Sequence, residues 1–272
     1  MKKPGFIKYP IYARDLTTIE KFALRVKVLP IKCTVCGSFS LIRLTNNNFR
    51  ENCYCIRCHS FNRQRQIAFV LCNAIANKKV KSLKDLASIN HLSIYNTETG
   101  GTLHRFLRQT NRYVCSEYFG EQYKGGDYID GRMHQDLMRL SFPDNQFDFI
   151  ISTDVFEHIA DPYIAHQEVY RVLKPGGRHI FTIPFYQTDT LDEKRAAIDE
   201  KGEIIHYKEP MYHIDPLRPE GVLVFNIFSI EMLVKLSRIG FRTNMHHLYR
   251  PSNGILGPNG LVFEAIKETP RL

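Results

Sequence analysis

The chain has 272 residues, 43% of them hydrophobic and 12% aromatic, and a formal net charge of +9. That is too apolar for a disordered chain and long enough for one large domain plus a small module. No stretch approaches about 20 uninterrupted apolar residues, and the basic start MKKPGFIKYP leads into no apolar run of signal-peptide length, so a soluble cytoplasmic protein without a membrane span is expected.

The charge is uneven. Residues 1–90 hold 17 of the 37 Lys+Arg and 4 of the 28 Asp+Glu, a local +13, against −4 for the remainder. Such a patch attracts phosphates, nucleic acid or acidic substrates, or simply forms a solvated face. Within this third lie Cys33-Thr-Val-Cys36-Gly and Cys55-Ile-Arg-Cys58-His, with 18 residues between Cys36 and Cys55. Two CxxC pairs at this distance fit a zinc ribbon. Each pair sets two thiolates on one tight turn, and four sulfurs close a tetrahedral shell around Zn²⁺ with no position left for water, which is a structural site. Cys53 and His59 are the substitute ligands available nearby. Cys72 and Cys115 stand in apolar surroundings and read as core residues.

After Cys58, Ile67, Val70, Leu71, Ala74 and Ile75 recur at helical spacing, with Ser60 in place to cap. Arg63 and Arg65 fall in the first turn, where the helix dipole disfavours cations. They serve either an anion or acidic groups of the neighbouring domain. Residues 77–90 read as a basic linker or short helix, which makes 1–76 the N-terminal module and 91–272 the main domain.

From residue 91 short apolar runs alternate with helical segments, the pattern of βαβ units and a mainly parallel sheet. Strands are expected at 91–97, 112–117, 147–153, 178–185, 241–250 and 260–267, and helices at 101–109, 165–174 and 227–240. In a doubly wound sheet of this kind ligands sit beyond the carboxyl ends of the strands. Those ends carry Asn96 through Gly101, then Glu117 and Tyr118, Asp136 and Leu137, and Thr153 and Asp154. A small-residue turn lets backbone approach a ligand. An acidic residue after the second strand can accept from both ribose hydroxyls.

Residues 140–177, LSFPDNQFDFIISTDVFEHIADPYIAHQEVYRVLKPGG, resemble the class I S-adenosylmethionine-dependent methyltransferases of the "methyltransferase type 11" group almost position by position, and the likeness extends over about 91–267. It implies a Rossmann-like, seven-stranded, doubly wound α/β sheet, to which the small N-terminal zinc module read from the cysteines is appended. It also implies a ribose contact from Glu117, with Tyr118 beside it, and an adenine flanked by Asp136 and Leu137. The amino-acid part of S-adenosylmethionine then lies over Asn96, Glu98 and Gly100. The first motif departs from the family, because Asn96 replaces its acidic residue and Glu98 and Thr102 replace two of its three glycines. Residues 204–225 resemble an acceptor-binding insertion (about 186–222) of a subset of these enzymes that carry similar cysteines.

Methyl transfer needs positioning, worth about 7–11 kcal/mol of barrier, and a base for a hydroxyl or amine acceptor. His213, beside Tyr212 and Asp215, is the first candidate base, because a carboxylate would orient its ring. His206 and His158 follow. Tyr186, Tyr212 and Asp215 are candidate acceptor contacts. The function expected is methylation of an oxygen or nitrogen on a small polar molecule, such as a sugar. The zinc-ribbon-plus-methyltransferase arrangement also resembles 23S rRNA guanine methyltransferases, which makes RNA the alternative acceptor. A non-catalytic protein that docks a partner through its zinc module is the third reading.

Overall fold

The computed structural model describes residues 5–6, 15–46, 48–215 and 218–269, without the side chains of 5–6 and 214–219. Its centre is a six-stranded sheet made of β4 (Ser93–Asn96), β5 (Arg112–Cys115), β6 (Phe147–Thr153), β7 (Leu173–Thr182), β10 (Phe241–His247) and β11 (Leu261–Lys267). The spatial order is β10-β11-β7-β6-β4-β5. The pairs β5–β4, β4–β6 and β6–β7 are parallel, whereas β11 runs antiparallel to both its neighbours.

Neighbouring residues of one strand point to opposite faces, and the two cores divide accordingly. Ile94, Phe149, Ile151, Ile180 and Val262 pack on one face, and Tyr95, Ile150, Phe181 and Phe263 on the other. The second face is covered by Ala165, Val169 and Val172 of α4 (Pro162–Val172) and by Met232 and Leu236 of α5 (Ile230–Ile239).

The first face is covered from the N-terminal third. Its cover is α2 (Asn62–Ala74), through Ile67, Ala68, Val70 and Leu71, with α3 (Gly101–Leu107) and a 3₁₀ turn at Leu83–Ser88. Burial of the apolar groups of the cysteine module continues into the same core: Ala23 of α1 (Thr18–Val26), Leu29 and Ile31 of β1 (Val28–Lys32), Ile42 of β2 (Phe39–Arg43) and Cys55 of β3 (Tyr54–Cys55) belong to it. Residues 77–90 are therefore no free linker. Leu83 and Leu86 are fully buried there, and the Leu83 and Lys84 amides bond to Thr34 and Val35 carbonyls.

The expected seventh strand is reduced to one parallel bridge between Glu117 and His134. The segment before it folds on itself instead: Tyr128–Ile129 pairs antiparallel with Arg132–Met133 across Asp130-Gly131, both at positive φ. Asp-Gly is a preferred pair for such a two-residue hairpin, because both central residues need left-handed backbone. The segment after β7 carries the hairpin of β8 (Met211–Asp215) and β9 (Arg218–Leu223), to which Gly5–Phe6 adds a parallel strand.

Candidate functional site

The four predicted cysteines converge. Cys33, Cys36, Cys55 and Cys58 are all buried, their Sγ atoms lie within 4.8 Å of one another, and Cys33 Sγ and Cys58 Sγ are 3.7 Å apart. Tetrahedral ligands at a Zn–S distance of about 2.3 Å are separated by about 3.8 Å. Two matching knuckles hold them. Gly37 N–H donates to the Cys33 carbonyl and Cys33 N–H to that of Ser38; His59 N–H donates to the Cys55 carbonyl and Cys55 N–H to that of Ser60. Gly37 and His59 take the equivalent left-handed position, so His59 is a turn residue and stands outside the sulfur cluster. Gly37 also lacks room for a Cβ, which would lie 2.8 Å from Ser82 Oγ. Cys53 stays out of the cluster too, and burial pushes its thiol up to about 12.

Ser60 does not cap α2. Its Oγ sits 3.4 Å from Cys33 Sγ and 3.2 Å from Cys58 Sγ, and Phe61 takes the cap position. Arg65, fully buried, donates to the carbonyls of Ser60, Cys53 and Gly254. Burial lowers its pKa, opposed by the neighbouring thiols. A guanidinium here would offset the negative charge that four thiolates around a metal ion bring. Arg63 pairs with Glu51 at 2.8 Å and lies 3.5 Å from Asp154, so one of the two arginines serves acidic groups across the module boundary and the other the cysteine cluster.

At the carboxyl ends of β4, β5 and β6 the predicted cofactor residues come together. Glu117 Oε1 accepts from the Thr99 amide at 3.0 Å and from Thr99 Oγ1 at 2.9 Å, tying the turn after β4 to the end of β5. Gly100 is exposed, with no atom within 4 Å of where a Cβ would stand. Asn96 Nδ2 donates to the Glu98 carbonyl and Tyr113 Oη, while buried Asn96 Oδ1 and Thr97 Oγ1 have no hydrogen-bond partner. Desolvation, against the attraction of Arg63 and with the repulsion of Glu117, pushes the Glu98 carboxyl up to about 7. Beyond β5 a polar cleft of about 270 Å³ is lined by Tyr118, Gly120, Tyr123, His134, Asp136 and Arg139 among others. Leu137 is buried beneath it in the second core. Thr153 ends β6 against Thr182.

Asp154 follows Thr153 at positive φ and is engaged by the cysteine module: Arg50 binds it through two bonds of 2.6 and 2.7 Å, and Thr182 Oγ1 donates to it at 2.8 Å. Burial raises its carboxyl, but Arg50 and Arg63 hold it well below the usual carboxylate range. The spacing of the sequence gives no sign of this pair; the net positive charge of residues 1–90 is its only trace.

The next turn builds a second cluster. The 3₁₀ segment Phe156–His158 presents Glu157 and His158 to His213 on β8. His213 Nδ1 is 3.1 Å from Glu157 Oε1 and 3.0 Å from His158 Nε2, and His158 Nδ1 is 2.7 Å from the Leu223 carbonyl. Burial lowers the His213 pKa, but the hydrogen bond and charge of Glu157, with Asp154, more than offset it, so the net shift is upward. Burial and the charge of His213 move His158 down against Glu157. The carboxylate at His213 is thus Glu157, which sequence reading passed over although it adjoins His158. The Asp215 side chain lies outside the described residues. His206 is exposed on the hairpin Ala196–Ile198/Ile204–His206 and no bond joins it to this cluster among the described residues. Tyr212 pairs with Leu223 across the β8–β9 hairpin, and Tyr186 is half-buried with its amide on the Phe228 carbonyl.

Residues 99–181 match the family described as "Methyltransferase domain". Cycloartenol-C-24-methyltransferase of Arabidopsis thaliana is 37% identical over 116 residues, 39% of this chain and 34% of that protein. Sterol 24-C-methyltransferase of Saccharomyces cerevisiae is 30% identical over 112 residues, 38% of this chain and 27% of that protein. The chain thus spans about a third of the length of these relatives. Among solved structures, an S-adenosylmethionine dependent methyltransferase from Mesorhizobium loti is 17% identical, covers 65% of this chain and 92% of that one, and aligns with a TM-score of 0.42. Among the described residues no helix is long and apolar enough to cross a membrane.

Proposed function

We propose that the chain is an S-adenosylmethionine-dependent methyltransferase acting on an oxygen or nitrogen of a small polar molecule, with a structural Zn²⁺ held by Cys33, Cys36, Cys55 and Cys58. The observation that carries the reading is the meeting of Asn96, the Thr99–Gly101 turn, Glu117 and Asp136 at the carboxyl ends of parallel strands, around the segment that matches a methyltransferase domain. The orphaned Asn96 Oδ1 and Thr97 Oγ1 are polar atoms that a polar ligand would satisfy. When bound, S-adenosylmethionine supplies a methyl group activated by its sulfonium. Glu117 would hold the ribose hydroxyls, Tyr118, Asp136 and Leu137 the adenine end, and Asn96, Glu98 and Gly100 the amino-acid end. Thr153 and Asp154 close the site from β6.

Acceptor activation we assign to the cluster of Glu157, His158 and His213, with Tyr186 and Tyr212 as acceptor contacts. The segment that bears His213 returns to the strand-end turns: Phe225 N–H donates to the Glu157 carbonyl and Asn226 Nδ2 to that of Ile159. A hairpin folded over the strand ends suits a small, enclosed acceptor. The relatives named for sterol methylation support a small molecule over RNA. Three of the N-terminal arginines (Arg50, Arg63 and Arg65) are engaged inside the protein, so part of the local positive charge is structural.

Calorimetric titration with S-adenosylmethionine and S-adenosylhomocysteine tests the reading. Binding that Glu117→Ala weakens at least tenfold is expected. Failure of the zinc-replete protein to bind either ligand would leave a non-catalytic docking protein as the better account.

A further inference from the structure

The cluster at the foot of the β8–β9 hairpin contains three Lewis bases and too few protons. The Leu223 carbonyl can only accept, so the 2.7 Å bond to it fixes the hydrogen of His158 on Nδ1 and leaves a lone pair on Nε2. That lone pair faces His213 Nδ1 at 3.0 Å, and Glu157 Oε1 faces the same nitrogen at 3.1 Å. One Nδ1 carries at most one hydrogen, so it cannot bond well to both. Glu157 is fully buried, and apart from this 3.1 Å approach to His213 Nδ1 its carboxylate oxygens have no hydrogen-bond partner. A desolvated carboxylate left in this state is costly unless a cation compensates it.

We propose that Glu157, His158 and His213 bind a divalent metal ion, a second metal site distinct from the four cysteines. Two imidazoles and one carboxylate form a donor set suited to first-row divalent ions. Ligands about 2.1 Å from an ion stand about 3.0 Å apart at right angles, about 3.4 Å apart in a tetrahedron and about 4.2 Å apart when opposite. The three observed separations, 3.0, 3.1 and 3.9 Å, fall within that range. The backbone bond on His158 Nδ1 is the outer-shell contact that metal-bound histidines commonly make. Both imidazole side chains keep 14–15% exposure, so one side of the cluster stays open to a further ligand. Gly221 is part of the fit: with φ of 82°, it precedes Val222, the register partner of His213, and a Cβ on it would come 2.7 Å from the His213 carbonyl.

The inference rests on the methyltransferase reading only for its purpose, which is to hold an acceptor hydroxyl or carboxylate by direct coordination and favour its deprotonated form. The acceptor class it selects is a small molecule with an oxygen able to reach the ion.

The test uses Mn²⁺, a hard ion that disfavours a four-thiolate site, added to the full chain with its zinc retained and followed by electron paramagnetic resonance. One Mn²⁺ per chain is expected. Glu157→Gln and His213→Gln should each weaken binding at least tenfold with bound zinc and circular dichroism unchanged, and His213→Asp, which restores an oxygen ligand, should recover part of the loss. Absence of Mn²⁺ binding by the folded wild type overturns the inference, and so does wild-type affinity in both Gln variants. If Glu157→Gln loses its zinc on purification, His213→Gln decides alone. S-adenosylhomocysteine binding, measured on the same preparation, is scored separately: cofactor without Mn²⁺ sinks this inference and leaves the methyltransferase reading standing, and Mn²⁺ without cofactor does the reverse.

Discussion

Replacing Arg50 with alanine should uncouple the cysteine module from the carboxyl end of the sheet's parallel strands at a measurable cost in stability. The Arg50 side chain is 5% exposed and that of Asp154 11%, and two bonds of 2.6–2.7 Å join them. Breaking a buried pair by removing one partner costs about 3–5 kcal/mol, because the other charge stays buried. Asp154 would keep Thr182 Oγ1 at 2.8 Å and Arg63 at 3.5 Å, so the low end, about 3 kcal/mol, applies. At about 2–4 °C per kcal/mol, Tm should fall by about 6–12 °C. The assay is thermal unfolding of Arg50→Ala, Asp154→Ala and the double variant. The double variant should be less destabilised than the sum of the single ones, since it leaves no unpaired charge. The pH dependence has a definite sign. The Asp154 pKa is depressed in the folded state, so the stability it contributes is present above the unfolded value of about 3.9 and is lost as pH falls below it. The deficit of Arg50→Ala should therefore shrink below about pH 4. A Tm change under about 2 °C at pH 7, or strict additivity in the double variant, would refute the reasoning.

Three further outcomes are expected. Purified protein should carry one zinc per chain by atomic emission, and Cys55→Ser should lose both the metal and soluble expression, because structural zinc binding supplies folding energy of about 10–16 kcal/mol. Leu83→Ala, at a fully buried position in the segment that reads as linker, should cost about 2–5 kcal/mol in urea unfolding, and a change under 0.5 kcal/mol, of order one exposed-site substitution, would show that this turn is not packed. Gly221→Ala should weaken Mn²⁺ binding at the Glu157–His213 cluster while leaving zinc content unchanged, because its Cβ displaces the His213 backbone.

Local chemistry made some of this legible and distance hid the rest. The two CxxC knuckles are short-range objects, so their spacing identified the sulfur cluster directly. The alternating strands of the sheet were readable for the same reason, since Phe147–Thr153 and Leu261–Lys267 carry their own pattern. The seventh strand failed because Asp130-Gly131 turns the chain back on itself, and that dipeptide was visible in the sequence. Ser60 was misread as a cap because a helix start and a thiolate neighbour ask for the same hydroxyl. Arg50 to Asp154, and Glu157 to His213, are contacts across long stretches of chain that no periodicity encodes. The orientation of His213 was expected from the nearby Asp215, whereas the structure supplies a carboxylate from another element.

The helix that follows the second knuckle also forms part of the cover of the sheet, so the sheet and the cysteine module share one core. Cut away from residues 15–90, the faces of Ile94, Phe149, Ile151, Ile180 and Val262 would be bare to water. With a metal ion on the four sulfurs, its occupancy and ligand competence would become one equilibrium. Any ligand that binds the strand ends better when the sulfurs hold an ion should tighten the hold on that ion by the same free energy with which the ion favours the ligand. If zinc is that ion, its supply would set how much folded protein exists, not only how well it binds.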